Sequence, residues 1–459
     1  MKFEDLKHLA VTLPEDIMKE KWSGNFDKVR KIIKYQLENE DLSYAMRCRL
    51  EYELTELEHF EDRYIWTKEE AMAQMVEVIP DFTEEEFDRL QLGGKIDWIY
   101  LNGRVMYINN FRKALLYVYP ELWERTEEGD FGSDPEMNEF VENLNHMEET
   151  QAHIHIRHEL HLKEESAEEG KKLFIHLPVP VERDQIKNLK INNIWPEPAR
   201  MPQIDEAHPV AFIETIAKEG KVCEVEYEFD NKVVYYDWKK LQGSRIGECE
   251  ITGEATKYME EHLPHIAFTP YLKSLTEEVV DGETDFVLAA RKIYDYITTK
   301  IKYRFARDYA SIDCIPELCA SNMKGDCGMQ ALTFITMCRI AGIPARWQSG
   351  LDARPDHVGE HDWAEFYIPS VGWLRSDLSH GGDAYRRGDM KRWDYYFCNV
   401  DPFRVPLNND FQRDFVPPKK FERMDPYDNQ TGELEYEDRG LYERDRSRKY
   451  FDLGIKLVK

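Results

Sequence analysis

The sequence predicts a multidomain protein of the α+β class, and three observations carry that expectation. The chain has 459 residues, too many for one compact core when a domain takes roughly 150 residues. Its N-terminal part spaces apolar residues as helices do, and after about residue 150 the period falls to two. A run that is apolar on nearly every side, 328–341, then reads as a buried helix, and strand-like segments follow it to about residue 380.

The elements follow in order. Runs at 27–38, 42–59, 68–79 and 83–91 predict helices, and Asn102-Gly103 between two apolar-alternating runs predicts a β-hairpin with a type I′ turn. Helices followed by a hairpin make residues 1–125 a winged-helix-like module. Its third helix begins Thr83-Glu84-Glu85-Glu86, acidic where a reader of DNA would be basic, so packing or partner binding is the expected role. Residues 126–150, acidic and rich in Gly, Asn and Ser, read as a linker. In the next run Ile154, Ile156, Leu160 and Leu162 share one strand face. Further strand-like runs, split by Pro and Gly, predict a β-sandwich over 151–262. Helical spacing returns at 271–280 and 285–301, where Phe286, Ala290, Ile293 and Ile297 form one stripe; these open a core domain over 263–400. Residues 401–459 show no clear period and are expected to form an irregular extension packed on that core.

Charge and composition narrow the function. Asp plus Glu number 89 against 61 Lys plus Arg, a net charge of −28, which repels a phosphate backbone and argues against nucleic acid as a partner. No run of about 18 apolar residues exists, so no membrane span is expected. The charged start Met1-Lys2-Phe3-Glu4 lacks the apolar region of a secretory signal, and a cytoplasmic location is the expectation. Eight scattered cysteines read as reduced thiols, one of them available for catalysis. Neither a phosphate loop nor a dinucleotide glycine pattern appears, and no cofactor or metal is expected.

The chemistry concentrates after residue 324. Gly325 and Asp326 favour a turn and a helix cap, Gly342 and Pro344 end the helix, and Cys327 stands at its N-terminus. The partial positive charge there favours a thiolate, the nucleophile for acyl transfer. Such a step also needs a histidine to move protons and a group to orient its ring. Downstream, His361 and Asp377 lie on two strand-like runs joined by a turn near Pro369. For the pair to touch, both must project from one face, and direct opposition would also pair Glu365 with Trp373 and Trp363 with Arg375.

Gly325-Asp326-Cys327, the run Cys338-Arg-Ile-Ala-Gly-Ile-Pro-Ala-Arg346, His361-Asp362-Trp363-Ala364-Glu365, and Gly372-Trp373 followed four residues later by Asp377 resemble the core of the transglutaminase-like superfamily. The resemblance spans about residues 271–380. It implies a papain-like cysteine-enzyme fold with Cys327 as nucleophile, His361 as general acid/base and Asp377 as the orienting carboxylate. Trp363 and Glu365 match the motif without an assigned chemical role. Animal members use an upstream Trp in the oxyanion hole, but no Trp lies between 239 and 346 here. That role falls to the Cys327 backbone N–H, with Tyr303 and Asn322 as candidate partners and Trp363 in the neighbourhood. The implied reaction is hydrolysis of a peptide or isopeptide amide through a thioester, on a protein or peptide substrate. Transglutamination with a Lys or amine acceptor, and a non-catalytic binding or scaffold protein on an inactive core, are the alternatives.

Other chemistry-bearing residues read as structural. Cys338 is expected in the helix core, and Cys314 and Cys319 lack the second pair of a zinc site. His153, His155 and His161 are expected on a solvated strand face, His357 in a loop, and His380 at the end of a strand.

Overall fold

The computed structural model describes residues 3–126, 140, 149–355 and 357–458. Most of the linker read at 126–150 therefore lies outside the described residues. The chain divides into two units, the first formed by Met1–Asn138, Leu263–His265 and Tyr303–Cys314, the second by Glu139–His262, Ile266–Lys302 and Ile315–Lys459. Two short segments that the sequence reading gave to the core domain, 263–265 and 303–314, thus belong with the N-terminal unit.

In the first unit the apolar spacing closes a helical core. Helices α1 (Glu15–Trp22), α2 (Phe26–Leu37) and α3 (Tyr44–Arg63) bury Ile17, Val29, Ile33, Leu50 and Leu57 in one cluster. Strand β1 (Tyr64–Trp66), helices α4 (Lys68–Val78) and α5 (Glu84–Leu92), and strands β2 (Trp98–Leu101) and β3 (Arg104–Ile108) follow. Thr67 and Glu70 form a capping box that starts α4, and Thr83 caps α5. Asn102 and Gly103 take φ of 46° and 84°, the pair of positive angles a type I′ turn requires. The three strands pair in the order β1-β3-β2.

The second unit holds two antiparallel sheets and a helix-backed third. Strands β4 (Glu149–Leu162), β5 (Lys172–Pro178), β6 (Ile186–Trp195), β7 (Val210–Ile216) and β8 (Gly220–Val234) alternate buried and exposed side chains along much of their length. They do not complete the sheets alone. The last sixty residues, read as irregular, contain β12 (Arg404–Asn408), β13 (Glu433–Tyr436), β14 (Gly440–Leu441), β15 (Arg446–Asp452) and β16 (Lys456–Val458). One sheet runs β14-β13-β5-β7, and the other runs β15-β4-β8-β6 with β16 also on β4. The sheets read at 151–262 therefore take strands from the far end of the chain.

The third sheet carries the candidate chemistry. Helix α6 (Phe286–Lys300), capped by Asp285, precedes helix α7 (Cys327–Ile340), capped by Asp326 through a 3.0 Å bond from the Met329 N–H. Strands β9 (Ala345–Arg354), β10 (His357–Ile368) and β11 (Gly372–Ser376) follow, then helix α8 (Leu378–Arg386). The strand order is β11-β10-β9-β12, all antiparallel. Helix α7 is buried from Gly328 to Arg339, and Phe334 meets Phe366 of β10 edge-on at 5.7 Å. Gly350 of β9 lets β12 approach, since a Cβ there would lie 1.9 Å from the Val405 carbonyl oxygen.

The hairpin register differs from the expectation by two residues. Glu365 pairs with Arg375 and Tyr367 with Trp373, and the turn is centred on Ser370. Pro369 takes the first corner, where its fixed φ fits, and Gly372 supplies φ of 104° to close the loop. A shift of two preserves which face each side chain occupies. The chain is a multidomain α+β protein, and among the described residues no helix is long and apolar enough to cross a membrane.

Candidate active site

Cys327 is the first residue of α7, as the cap and turn residues predict. Its environment differs from the expectation drawn from the helix N-terminus alone. The residue keeps partial exposure, but its thiol is enclosed and donates to Asp362 Oδ2 at 3.3 Å. Burial pushes the thiol well above its usual range, and the Asp362 and Asp326 carboxylates push it further. Burial and the two neighbouring carboxyl groups thus outweigh the helix-end partial charge.

Asp362 is itself raised well above the usual carboxylate range, first by burial and then by Asp428 and Asp326. Its Oδ1 accepts from Gln430 Nε2 at 2.8 Å, and the same nitrogen donates to the His361 carbonyl at 2.9 Å. Asp428 is pushed up to about 6 by burial, while it accepts from Ser349 Oγ at 2.6 Å. Asp428 and Gln430 were missed in the sequence because they lie in the segment without period. Removing the carboxyl group beside the thiol gives a signed test. Asp362→Asn should raise the iodoacetamide labelling rate of Cys327 near pH 7 by about tenfold for each unit the thiol pKa falls. A slower rate would mean that Asp362 serves as the base for the thiol.

His361 and Asp377 come together. Nε2 of His361 lies 2.8 Å from Asp377 Oδ2, and both residues are buried. Asp377 does not end a strand; it caps α8, its Oδ1 accepting from the His380 N–H at 3.0 Å and from Ser379 Oγ at 3.4 Å. Its Oδ2 also accepts from Arg404 Nε at 3.1 Å. Burial alone would raise this carboxyl, but His361, His380 and Arg404 outweigh it and hold it well below the usual range.

His361 and Asp362 are consecutive in β10, so their side chains leave the strand toward opposite faces. The first meets Asp377 and the second meets the thiol. Among the described residues no hydrogen bond joins Cys327 to His361.

The remaining candidates separate. Trp363 is buried, stacks 6.1 Å from His361, and donates its indole N–H to Gln348 Oε1 at 2.8 Å, so that N–H is already engaged and not presented to an oxyanion. Asn322 is exposed at the end of helix Ile315–Asn322. Tyr303 belongs to the first unit, its ring packed against Tyr117 and Phe305. His380, expected at a strand end, lies in α8 with its ring 4.7 Å from that of His361. His357 is exposed, as a loop reading would have it, but opens β10. Cys338 is buried in mid-helix. His153 and His155 pair with Asp230 and Glu226 on β8, and His161 with Glu159.

His361, Asp377 and His380 offer ligand atoms within 4.8 Å of one another, close enough to hold a cation. The Arg404 guanidinium already bonds the carboxylate of that set, and a second positive charge there would be repelled.

Residues 273–378 match the family model of the transglutaminase-like superfamily, so a transglutaminase-like domain spans α6, α7 and the hairpin. Among curated proteins none matches the chain. A solved candidate cysteine protease from Cytophaga hutchinsonii aligns at 11% identity and TM-score 0.46 over 68% of this chain and 91% of its own. The periplasmic domain of TgpA from Pseudomonas aeruginosa aligns at 13% identity and TM-score 0.28 over 56% of this chain and 96% of its own.

Proposed function

We propose that the protein is a cysteine-nucleophile acyl-transfer enzyme that hydrolyses a peptide or isopeptide amide, with Cys327, His361 and Asp377 as its catalytic groups. The observation that carries this reading is the buried 2.8 Å contact between His361 of β10 and Asp377 at the start of α8. In the reaction the thiol proton passes to His361 and the sulfur attacks the amide carbonyl. The C–N bond then breaks as His361 returns the proton to the leaving amine, giving a thioester on Cys327. Water, deprotonated by His361, cleaves the thioester and restores the thiol. The Cys327 backbone N–H at the start of α7 is the proposed oxyanion donor.

The cycle requires the sulfur to leave Asp362 on one face of β10 and reach the His361 ring on the other, so the Cys327 side chain or the β10 backbone must shift when substrate binds. Catalytic hydrogen bonds are often incomplete before substrate binds. The substrate is proposed to be a protein or peptide. The net charge of −28 disfavours nucleic acid, and eight free thiols fit a reducing, cytoplasmic compartment.

The test uses the full chain with a peptide library and mass spectrometry. An acyl adduct is expected on Cys327, and Cys327 should alkylate faster than Cys338. His361→Gln should slow Cys327 alkylation. Equal labelling of both cysteines, with no effect of His361→Gln, would overturn the reading. That outcome would favour a second one, a non-catalytic binding protein, which the Asp362-held thiol supports. An added primary amine trapped on a Gln substrate would instead assign transglutamination.

A further inference from the structure

We propose that Arg404 is a positioning residue of this reaction, acting through Asp377 to hold the carboxylate oxygen that faces His361; the inference rests on the triad reading above. Arg404 has no exposed surface and opens β12, which lies on β9 at the close approach allowed by Gly350. Its Nε donates to Asp377 Oδ2 at 3.1 Å and its Nη1 to Asp352 Oδ1 at 2.6 Å. Its Nη2 lies 3.2 Å from Asp401 Oδ2. One rigid, planar cation thus ties together carboxylates from β9, from the segment before β12, and from the start of α8.

What singles out this arginine is the oxygen it bonds, which is the oxygen that accepts from His361. The other oxygen is fixed by the backbone of His380 and by Ser379. With both oxygens held, the Asp377 carboxylate has no freedom to rotate away from the imidazole. The network extends one step further, since Asp352 also lies 3.6 Å from Nε2 of His380, whose ring packs on His361. A buried carboxylate–arginine contact gives little net stability against an apolar alternative, so orientation is the effect that distinguishes this one.

The probe is iodoacetamide labelling of Cys327 in the full chain near neutral pH, read against Cys338 in the same sample. Arg404→Gln should slow Cys327 about tenfold, within the coupling range of neighbours in one hydrogen-bonded network, and leave Cys338 unchanged. Arg404→Lys, which keeps the charge and loses the fork, should fall between the Gln variant and wild type. The decisive arm is the double variant. If Arg404 acts through Asp377, then Arg404→Gln adds no further slowing in an Asp377→Asn background. Wild-type rates in Arg404→Gln, or losses that multiply in the double variant, would overturn the proposal. Should the Gln variant fail to fold, the same cycle is run with Arg404→Lys, and multiplying losses again overturn it. Failure of the triad reading is separate: His361→Gln would then leave Cys327 labelling unchanged.

Discussion

Cys327→Ala is expected to bring turnover to background and to abolish the acyl adduct, while the protein keeps its fold. The loss for removing a nucleophile that forms a covalent intermediate is on the order of 10⁶-fold in kcat, because no other group can take its place in the acylation step. The structural cost should be small. Position 327 is the first residue of α7, where alanine is a good helix former, and the Asp326 cap bonds the Met329 N–H without involving the sulfur. Only the 3.3 Å thiol–carboxylate contact is lost. Thermal unfolding should therefore shift by less than about 1 kcal/mol equivalent. Turnover of a library-derived peptide and a circular dichroism melt check both halves. Activity retained in the alanine variant would remove Cys327 from the mechanism, and activity lost together with the fold would leave the assignment without support from this experiment.

The parts of this site that were legible in the sequence are those set by local chemistry. Gly325 and Asp326 mark the start of α7, Gly342 and Pro344 its end, and the Asn102-Gly103 turn is fixed by its own φ angles. The facing of His361 and Asp377 was also legible, because strand alternation depends only on parity. The register itself was not, since it depends on which residue of the Pro369–Gly372 turn takes each corner.

The C-terminal strands were illegible for a different reason. β13 pairs with β5 and β15 with β4, partners more than 250 residues away, and their buried positions are often charged. Glu433 is buried between Lys419 and Arg423 at 2.9 Å each, and Arg446 is buried too. Burial would raise Glu433, yet those two cations hold it at about 2. Paired charges in the interior erase the apolar period that marks a strand. The same segment supplies Arg404, Asp428 and Gln430, so the residues that surround the candidate pair were hidden with it. The thiol was misjudged because a helix end is visible in a sequence, whereas a carboxylate from a distant strand is not.

Asp377→Asn should lower turnover by about 10⁴-fold, the scale seen when a carboxylate orienting a catalytic histidine becomes an amide. The amide can offer His361 an N–H where the ring nitrogen needs an acceptor, which selects the wrong tautomer and removes the charge that stabilises the imidazolium. Much of the local structure should survive. The Asn oxygen can still accept from the His380 N–H and cap α8, and Arg404 keeps Asp352 and Asp401. Stability gives a second, signed readout. The folded-state pKa of Asp377 is held well below its ordinary value, so its charge stabilises the fold above the unfolded carboxyl pKa of about 3.9. That contribution is lost as pH falls from there toward the folded-state value. Wild type should therefore exceed Asp377→Asn in stability most at neutral pH, and the two denaturation curves should converge in acid. Turnover within tenfold of wild type, alongside that same stability pattern, would reduce Asp377 to a helix cap and an anchor for Arg404. A large loss of turnover at a pH where the variant is fully folded would tie the carboxylate to the chemistry of His361.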